Sequence, residues 1–230
     1  MGYALFDFQT NGVHEAEITV KSSLTTDDII PVDYLFRNYD EFPEIERLAV
    51  NKANGRILDI GAGAGSHSLY LQSKGCDVTA NDISTGSIEV MQERGVRKLL
   101  KSDFFEISDQ KFDTLMLMMN GIGIVGDLMG LKRFLFHAKK LLNPGGQILL
   151  DSSDILYMFE EEDGSYLVDL NADYYGVVNF QMSYKEITGD SFNWLYVDFD
   201  TLKEVAQKCG FECELLCEDD HFQFLARLSI

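Results

Sequence analysis

The stretch Arg56 to Tyr70, RILDIGAGAGSHSLY, runs an apolar segment into Asp59, then through glycines at 61, 63 and 65, and then into a candidate helix. Nothing else in the chain restricts its fold so tightly. Ile57, Leu58 and Ile60 predict a strand buried on both faces, as in a parallel sheet. Glycines at alternate positions let the backbone turn sharply and approach a ligand closely. Ser66 is placed to cap the following helix and Leu69 and Leu71 to bury one side of it, while the free N–H groups of its first turn face the bound molecule. A dinucleotide fingerprint of the G-x-G-x-x-G type needs its third glycine where Ser66 stands.

Further segments follow in order. Asp77 to Asn81 reads as another strand, and Asp82 lies just beyond it, about twenty residues after the glycine turn, where a carboxylate can accept from both hydroxyls of a ribose. Lys98 to Lys101 leads into Ser102-Asp103-Phe104. Phe112 to Met119 is apolar and ends in Asn120-Gly121-Ile122-Gly123. Leu141-Leu142-Asn143-Pro144-Gly145-Gly146 precedes the apolar Ile148-Leu149-Leu150. In this order, across residues 56–152, the segments resemble the motifs of the class I S-adenosylmethionine-dependent methyltransferases, whose first motif is an acidic residue followed by G-x-G-x-G.

That resemblance implies S-adenosyl-L-methionine as cofactor. It places Asp59, Gly61, Ala62, Gly63, Gly65 and His67 around the first turn, and Asp82, Ile83 and Ser84 at the ribose. Ser102, Asp103 and Phe104 fall at the adenine, Asp103 toward the exocyclic amine and Phe104 toward the ring, with Asn120 and Gly121 beyond the fourth strand. It also implies an α/β fold, a Rossmann-like doubly wound sheet of seven strands with the last antiparallel. A methyltransferase domain at 54–230 then follows an N-terminal helical segment at 1–53, with a β-hairpin inserted after strand five at 165–198.

The residues themselves support this layout. Apolar strands alternating with amphipathic helices predict parallel pairing. A helix runs from Ser84 through Arg94 and a strand from about Val96 to Lys101. Asp127 caps a long helix in which Leu128, Leu131, Phe134, Leu135, Ala138 and Leu142 recur at helical spacing, and Pro144-Gly145-Gly146 stops it. Ser153-Asp154 opens a short helical stretch, and residues 160–164 form an acidic solvated loop. From Gly176 to Asp198 apolar residues at 178, 180, 182 and 184 alternate with polar ones, then come Gly189-Asp190 and Phe192, Trp194 and Tyr196, a hairpin pattern. Thr201 to Cys209 reads as a helix, and Phe211 to Cys217 and Phe222 to Leu228 as strands joined at Asp219-Asp220. Before residue 53 the aromatics are unevenly spaced, so they either pack a helix onto the sheet edge or form a lid over the cofactor. Pro43 opens a helix backed by Ile45, Leu48 and Ala49.

At 230 residues and 46% hydrophobic, the chain can bury the core such a domain needs. Its 19 Lys plus Arg against 38 Asp plus Glu give a formal charge of −19, which repels a phosphate backbone. Nucleic acid is therefore not an expected partner; the acidity either serves plain solubility or suits a neutral or cationic small-molecule acceptor. No apolar run of about eighteen residues and no basic stretch ahead of an apolar one occurs, so neither a membrane span nor a secretory signal is expected, and the expected location is cytoplasmic. Cys209, Cys213 and Cys217 recur every fourth residue, but Gly210 is placed to stop a helix, after which Phe211, Cys213, Leu215 and Cys217 share one strand face. No metal site is expected from them, nor from His14, His137 and His221. The sequence does not set an oligomeric state.

Methyl transfer from a sulfonium is an in-line displacement in which the protein must align and dehydrate the acceptor, so no catalytic residue follows from the cofactor motif. Candidates near the opening are Asn120, which can orient an acceptor or simply turn the chain, and Asp151 and Asp154, whose carboxylates can draw a proton or hold a cation unless Ser153 or Asp154 serves as a helix cap. Tyr157, Trp194 and Tyr196 can wall an apolar or cationic pocket or pack in the core. Two rival functions stay open: a binding protein that keeps the cofactor pocket without transfer, and an NAD-dependent oxidoreductase, which lacks its third glycine here.

Overall fold

The computed structural model describes residues 1–161, 163–167 and 174–230; residue 162 of the expected acidic loop and residues 168–173 of the expected insertion lie outside them. The N-terminal segment holds a helix at Gly2–Asn11 (α1), two antiparallel strands, Glu17–Ser22 (β1) and Asp28–Pro31 (β2), and, behind Pro43, the helix Glu44–Lys52 (α2). The glycine-rich region gives strand Arg56–Ile60 (β3) and helix Ser66–Ser73 (α3), followed by strand Asp77–Asp82 (β4), helix Thr85–Glu93 (α4) and strand Leu99–Lys101 (β5). Then come strand Phe112–Leu117 (β6), helix Leu128–Leu141 (α5) and strand Leu142–Ser153 (β7). Strands Val177–Tyr184 (β8), Ile187–Thr188 (β9) and Phe192–Leu195 (β10), helix Phe199–Lys208 (α6), and strands Glu212–Glu218 (β11) and Gln223–Ser229 (β12) complete the chain.

The main sheet has the order β11-β12-β7-β6-β3-β4-β5. Neighbours from β7 to β5 are parallel, and β12 runs antiparallel to both β7 and β11. This is the doubly wound, seven-stranded α/β arrangement expected. Ile57 packs into the layer shared with α2 and α3, and Leu58 and Ile60 into the layer shared with α5 and α6, so β3 is buried on both faces. Asp127 caps α5 by accepting from the Gly130 N–H (2.6 Å), and Leu131, Phe134, Leu135 and Leu141 bury its apolar side, each contributing about 1.5–3 kcal/mol.

Several local features differ from those expected. The α5 helix ends at Leu141, because Leu142 is already extended and pairs with Phe112; the register then jumps to Thr114 opposite Gln147. Pro144-Gly145-Gly146 is thus a loop thrown out from within β7, not the helix stop. Ser66 does not cap α3. Gly65 holds that position in a left-handed conformation (φ 81), which starts the helix one residue earlier, and the Ser66 hydroxyl donates to the Leu35 carbonyl. Leu71 is buried against α2, whereas Leu69 packs toward Met91, so they do not share one side. The hairpin reverses at Lys185 and Glu186, with Lys185 left-handed (φ 52), rather than at Gly189-Asp190; β9 and β10 then both pair with β8. A bulge between Leu215 and Cys217 divides the expected strand face: Cys213 packs into the α5–α6 layer and Cys217 into the opposite one.

The N-terminal segment and the insertion meet. β1 pairs with β8 in antiparallel register, Thr19 opposite Ser183 and Ser22 opposite Phe180, giving a second sheet of order β10-β8-β1-β2 with β9 at one side of β8. Helix α1 lies on α4, and the contact is made by two glycines. A Cβ on Gly86 would stand 2.4 Å from the Gly2 carbonyl oxygen. Among the described residues no helix is long and apolar enough to cross a membrane.

Asp151, in β7, is fully buried. It accepts from the Asn120 N–H with both oxygens (3.0 Å each) and from Gln223 Nε2 (2.8 Å), so it fixes the turn after β6 to the antiparallel strand β12. Burial pushes its carboxyl up to about 6, against the pull of those donors. A folded-state value above the unfolded one means stability present below about pH 4 and lost as pH rises through about 6, a swing of about 3 kcal/mol. Urea unfolding of wild type and Asp151→Asn from pH 4 to 7 should show the wild type losing about 2–3 kcal/mol relative to the variant. Gly86→Leu should cost about 1–3 kcal/mol by forcing α1 off α4, with faster proteolytic release of the first eleven residues.

Candidate functional site

The carboxyl ends of β3, β4, β5 and β6 open into one cleft of about 1140 Å³, walled on the far side by the second sheet. Its floor is the glycine turn. Gly61 (φ 72) and Gly63 (φ 58) are both left-handed, a conformation that costs a branched residue dearly. A Cβ at Gly61 would meet nothing within 4 Å, and one at Gly63 only the Gly61 carbonyl at 4.0 Å, so both positions face open cleft. Gly65 is different: its Cβ would stand 2.8 Å from Met91 Cγ, so this glycine serves close packing of α3 against α4.

The turn is held by β4. The Ala62 N–H donates to the Asn81 carbonyl (2.9 Å), and the Gly63 N–H donates to Asp82 Oδ2 (3.0 Å), whose other oxygen accepts from the Ser84 N–H (2.8 Å). Burial raises the Asp82 carboxyl, with the backbone donors of Ser84 and Gly63 pulling the other way. Asp82 therefore spends acceptor capacity on the protein's own backbone as well as facing the cleft. Asn81 donates from its amide to the Leu100 and Ser102 carbonyls (3.0 and 2.9 Å), which sets the start of the Ser102-Asp103 turn. Asp59 is buried at the foot of the turn, accepts from the Ser68 hydroxyl (2.7 Å), and is raised by that burial.

Asp59, Gly61, Ala62, Gly63, His67, Asp82, Ile83, Ser102, Asp103, Phe104, Asn120 and Gly121 all border this cleft. Gly65 and Ser84 do not. Ser84 caps α4 by accepting from the Ser87 N–H. Phe104 is buried and its ring stacks on Phe134 at 4.8 Å; the next residue, Phe105, lies half-buried at the same end under the Arg133 guanidinium (4.1 Å). Asp103 accepts from the Phe105 N–H (2.8 Å). Asn120 and the preceding Met119 are both left-handed (φ 53 and 64), and the Asn120 side chain accepts from the Ser153 hydroxyl (3.1 Å). Backbone strain at two successive non-glycine residues sits where β6 delivers the chain to the cleft.

The acid–base candidates at the end of β7 are committed elsewhere. Asp151 clamps Asn120, Asp154 accepts from the Leu156 N–H (2.9 Å) and the Tyr175 hydroxyl (2.7 Å), and neither borders the cleft. Tyr157, Trp194 and Tyr196 do border it, together with Phe180 and Met182 of β8. Trp194 lies directly over Gly123, where a Cβ would be 2.0 Å from the indole nitrogen.

The N-terminal segment also reaches in. Tyr39 stacks on Tyr70 of α3 (4.1 Å, 8°), and Phe42 packs on the His67 ring at 4.7 Å. His67 Nε2 and Glu46 Oε2 are 2.8 Å apart, and Glu46 Oε1 accepts from Arg37 Nη2 at 2.8 Å. Although burial works to raise it, the Glu46 carboxyl is held below the usual range by His67 and Arg37. Arg37, Phe42, Met118 and Met119 were not read as site residues from the sequence. For Arg37 the signal was there: it is the one cation in the run DYLFRNYDEF.

Comparison with known proteins agrees with this geometry. Residues 34–216 match the methyltransferase domain family. A crystal structure of a SAM-dependent methyltransferase from Bacteroides fragilis, in complex with S-adenosyl-L-homocysteine, superposes with a TM-score of 0.92 at 45% identity, covering 100% of this chain and 93% of that one. An uncharacterized methyltransferase of Staphylococcus carnosus is 28% identical over 210 residues, 85% of this chain and 86% of its own. A demethylmenaquinone methyltransferase of Clavibacter sepedonicus is 32% identical over 108 residues, 43% of this chain and 41% of its own. The chain belongs to the class I S-adenosylmethionine-dependent methyltransferases.

Proposed function

We propose that the cleft binds S-adenosylmethionine along the carboxyl ends of β5, β4, β3 and β6 and passes its methyl group to a small-molecule acceptor lodged under the second sheet. When bound, the cofactor supplies a methyl on a sulfonium, an already activated leaving group. The observation that carries this reading is the pair Gly61 and Gly63, whose missing side chains leave open space in a left-handed turn that Asp82 holds in place. The free lone pairs of Asp82 serve the sugar. Ser102, Asp103 and the edge of Phe104, with Phe105 and Arg133 added, serve the base. Ala62 and Ile83 complete the floor, His67, Asn120 and Gly121 border the amino-acid end, and Gly65 and Ser84 act from behind by fixing α3 and α4. Asp59 steadies the first turn of α3 through Ser68.

The acceptor is a small molecule with a flat, apolar body. Trp194, Tyr196, Phe180, Met182 and Tyr157 give that part of the cleft aromatic and thioether walls, which hold such a body by contact area and exclude water from the reacting atoms. The name of the Clavibacter sepedonicus relative is in keeping with a small acceptor. The chain's own part in the step is alignment: second sheet and glycine turn close on the two reactants from opposite sides, toward a separation of about 3 to 3.5 Å. Residues 1–53 act as the lid, with β1 and β2 in the roof and Arg37 and Phe42 over α3, while residues 54–230 form the transfer domain. Its proposed setting is the cytoplasm.

Thermal unfolding with S-adenosylmethionine, S-adenosylhomocysteine and NAD tests the cofactor assignment. The two sulfur ligands should each stabilise by about 2.7 kcal/mol at a hundredfold excess over the dissociation constant, and NAD should not; stabilisation by NAD alone would overturn it. Asp82→Ala should weaken S-adenosylhomocysteine binding by about 1.5–3 kcal/mol in calorimetry while the chain still folds.

A further inference from the structure

The turn between β11 and β12 stands beyond the end of β7, on the side of the cleft away from β4 and β5, and its His221 is exposed and borders the cleft. The turn is firmly built. Asp219 Oδ1 accepts from the His221 N–H (2.8 Å) and the Gln223 N–H (3.0 Å), and the Phe222 carbonyl accepts from the Asp154 N–H (3.0 Å). Phe222 is left-handed (φ 60), a conformation that a bulky residue keeps only where its surroundings impose it, and its ring stacks on Tyr157 at 5.4 Å. Burial, and then the nearby Tyr157, raise the Tyr196 phenol, which therefore keeps its proton. The aromatic wall of the acceptor end thus runs from Trp194 on Gly123, through Tyr196 and Tyr157, to His221.

The other groups that border the cleft and can accept a proton stand away from that wall. Asp59, Asp82 and Asp103 lie at β3, β4 and β5, and the Met1 amine is near Asp82. Asp28 lies in β2, three strands from β10 in the second sheet, and His67 engages Glu46. Imidazole is the side chain that exchanges protons nearest neutrality, close enough to a phenol, about 10, to draw its proton, and too far from an alcohol. An amine or a thiolate would need no such group.

We propose that His221 is the catalytic base of this cleft, and that the acceptor is accordingly an aromatic hydroxyl compound whose ring lies along the Trp194–Tyr157 wall. This rests on the cofactor and acceptor reading above. The hydroxyl proton passes to the imidazole, the oxygen lone pair forms the new O–CH3 bond, and the C–S bond breaks with its electrons going to sulfur. A methyl ether and S-adenosylhomocysteine result, and the exposed imidazolium returns its proton to water. Around it stand Asp219 and Asp220 of its own turn, Asp154 and Tyr157 of the segment after β7, and Tyr196 beyond β10, so the charge formed there meets no cation among these neighbours.

Methyl transfer from S-adenosylmethionine to phenol, catechol and 2-naphthol, with 2-naphthylamine and 1-naphthylmethanol as the amine and alcohol counterparts, tests this. Wild type should methylate at least one of the three phenols and neither counterpart, with a rate that falls on the acid side as the imidazole takes up a proton. His221→Gln should lower kcat for that phenol about 10²- to 10⁴-fold at pH 7 with KM changed less than about threefold, and the loss should shrink toward pH 10, where a phenol ionises unaided. A merely structural role would give a loss that pH does not repair, and that result overturns the proposal, as does an unchanged kcat. Transfer to the amine or the alcohol, or to no phenol at all, overturns the acceptor class. In each case stabilisation of wild type by S-adenosylhomocysteine in thermal unfolding leaves the cofactor reading standing, and its absence removes that reading itself.

Discussion

A carboxylate at the end of one strand holds open the loop at the end of its neighbour. Asp82 accepts from the Gly63 N–H and from the Ser84 N–H at once, so the left-handed turn of β3 and the cap of α4 share one anchor. A left-handed glycine segment has no side chains to steady it and loses much conformational freedom when fixed. Without that tie the turn would have many shapes. With it, the ends of β3 and β4 present a single concave backbone surface, and the rest of the cleft is arranged around that surface.

Much of this could be read from residue order. The apolar run before Asp59, the alternation of glycines and the carboxylate at 82 name their own geometry, because a buried parallel strand, a left-handed turn and a strand-end acceptor each demand particular residue types. The Asp127 cap and the period of α5 are equally local. What stayed hidden depends on partners distant in sequence. Nothing in residues 17–31 says that they form strands until β8 supplies an edge, and a two-stranded hairpin alone is marginal. The ring of Phe104 turned to the core because Phe134 offered it a stack, which left Phe105 at the cleft. In sequence Asp151 is a carboxylate that could draw a proton or hold a cation; only the fold brings Asn120 and Gln223 to it.

Electrostatics follow the same division between local and assembled. The chain carries a formal charge of −19, and its cleft gathers Asp59, Asp82 and Asp103 along one side. A sulfonium-bearing ligand suits such a lining, since a cation is welcomed where buried carboxylates have been raised by lack of solvent. Cations are few there, and the arginines that border the cleft stand at its two ends: Arg133 over Phe105 beside the Ser102-Asp103 turn, Arg37 over Tyr34 near α3.

The second sheet is assembled from pieces about 160 positions apart in the chain, with Thr19 paired in register with Ser183. Neither piece is a self-sufficient module. If the second sheet selects the acceptor, as proposed, a change of acceptor calls for paired adjustment: replacing the later hairpin alone would leave β1 beside an edge that no longer fits. Grafting experiments that hope to transplant acceptor choice between relatives will have to move both pieces together.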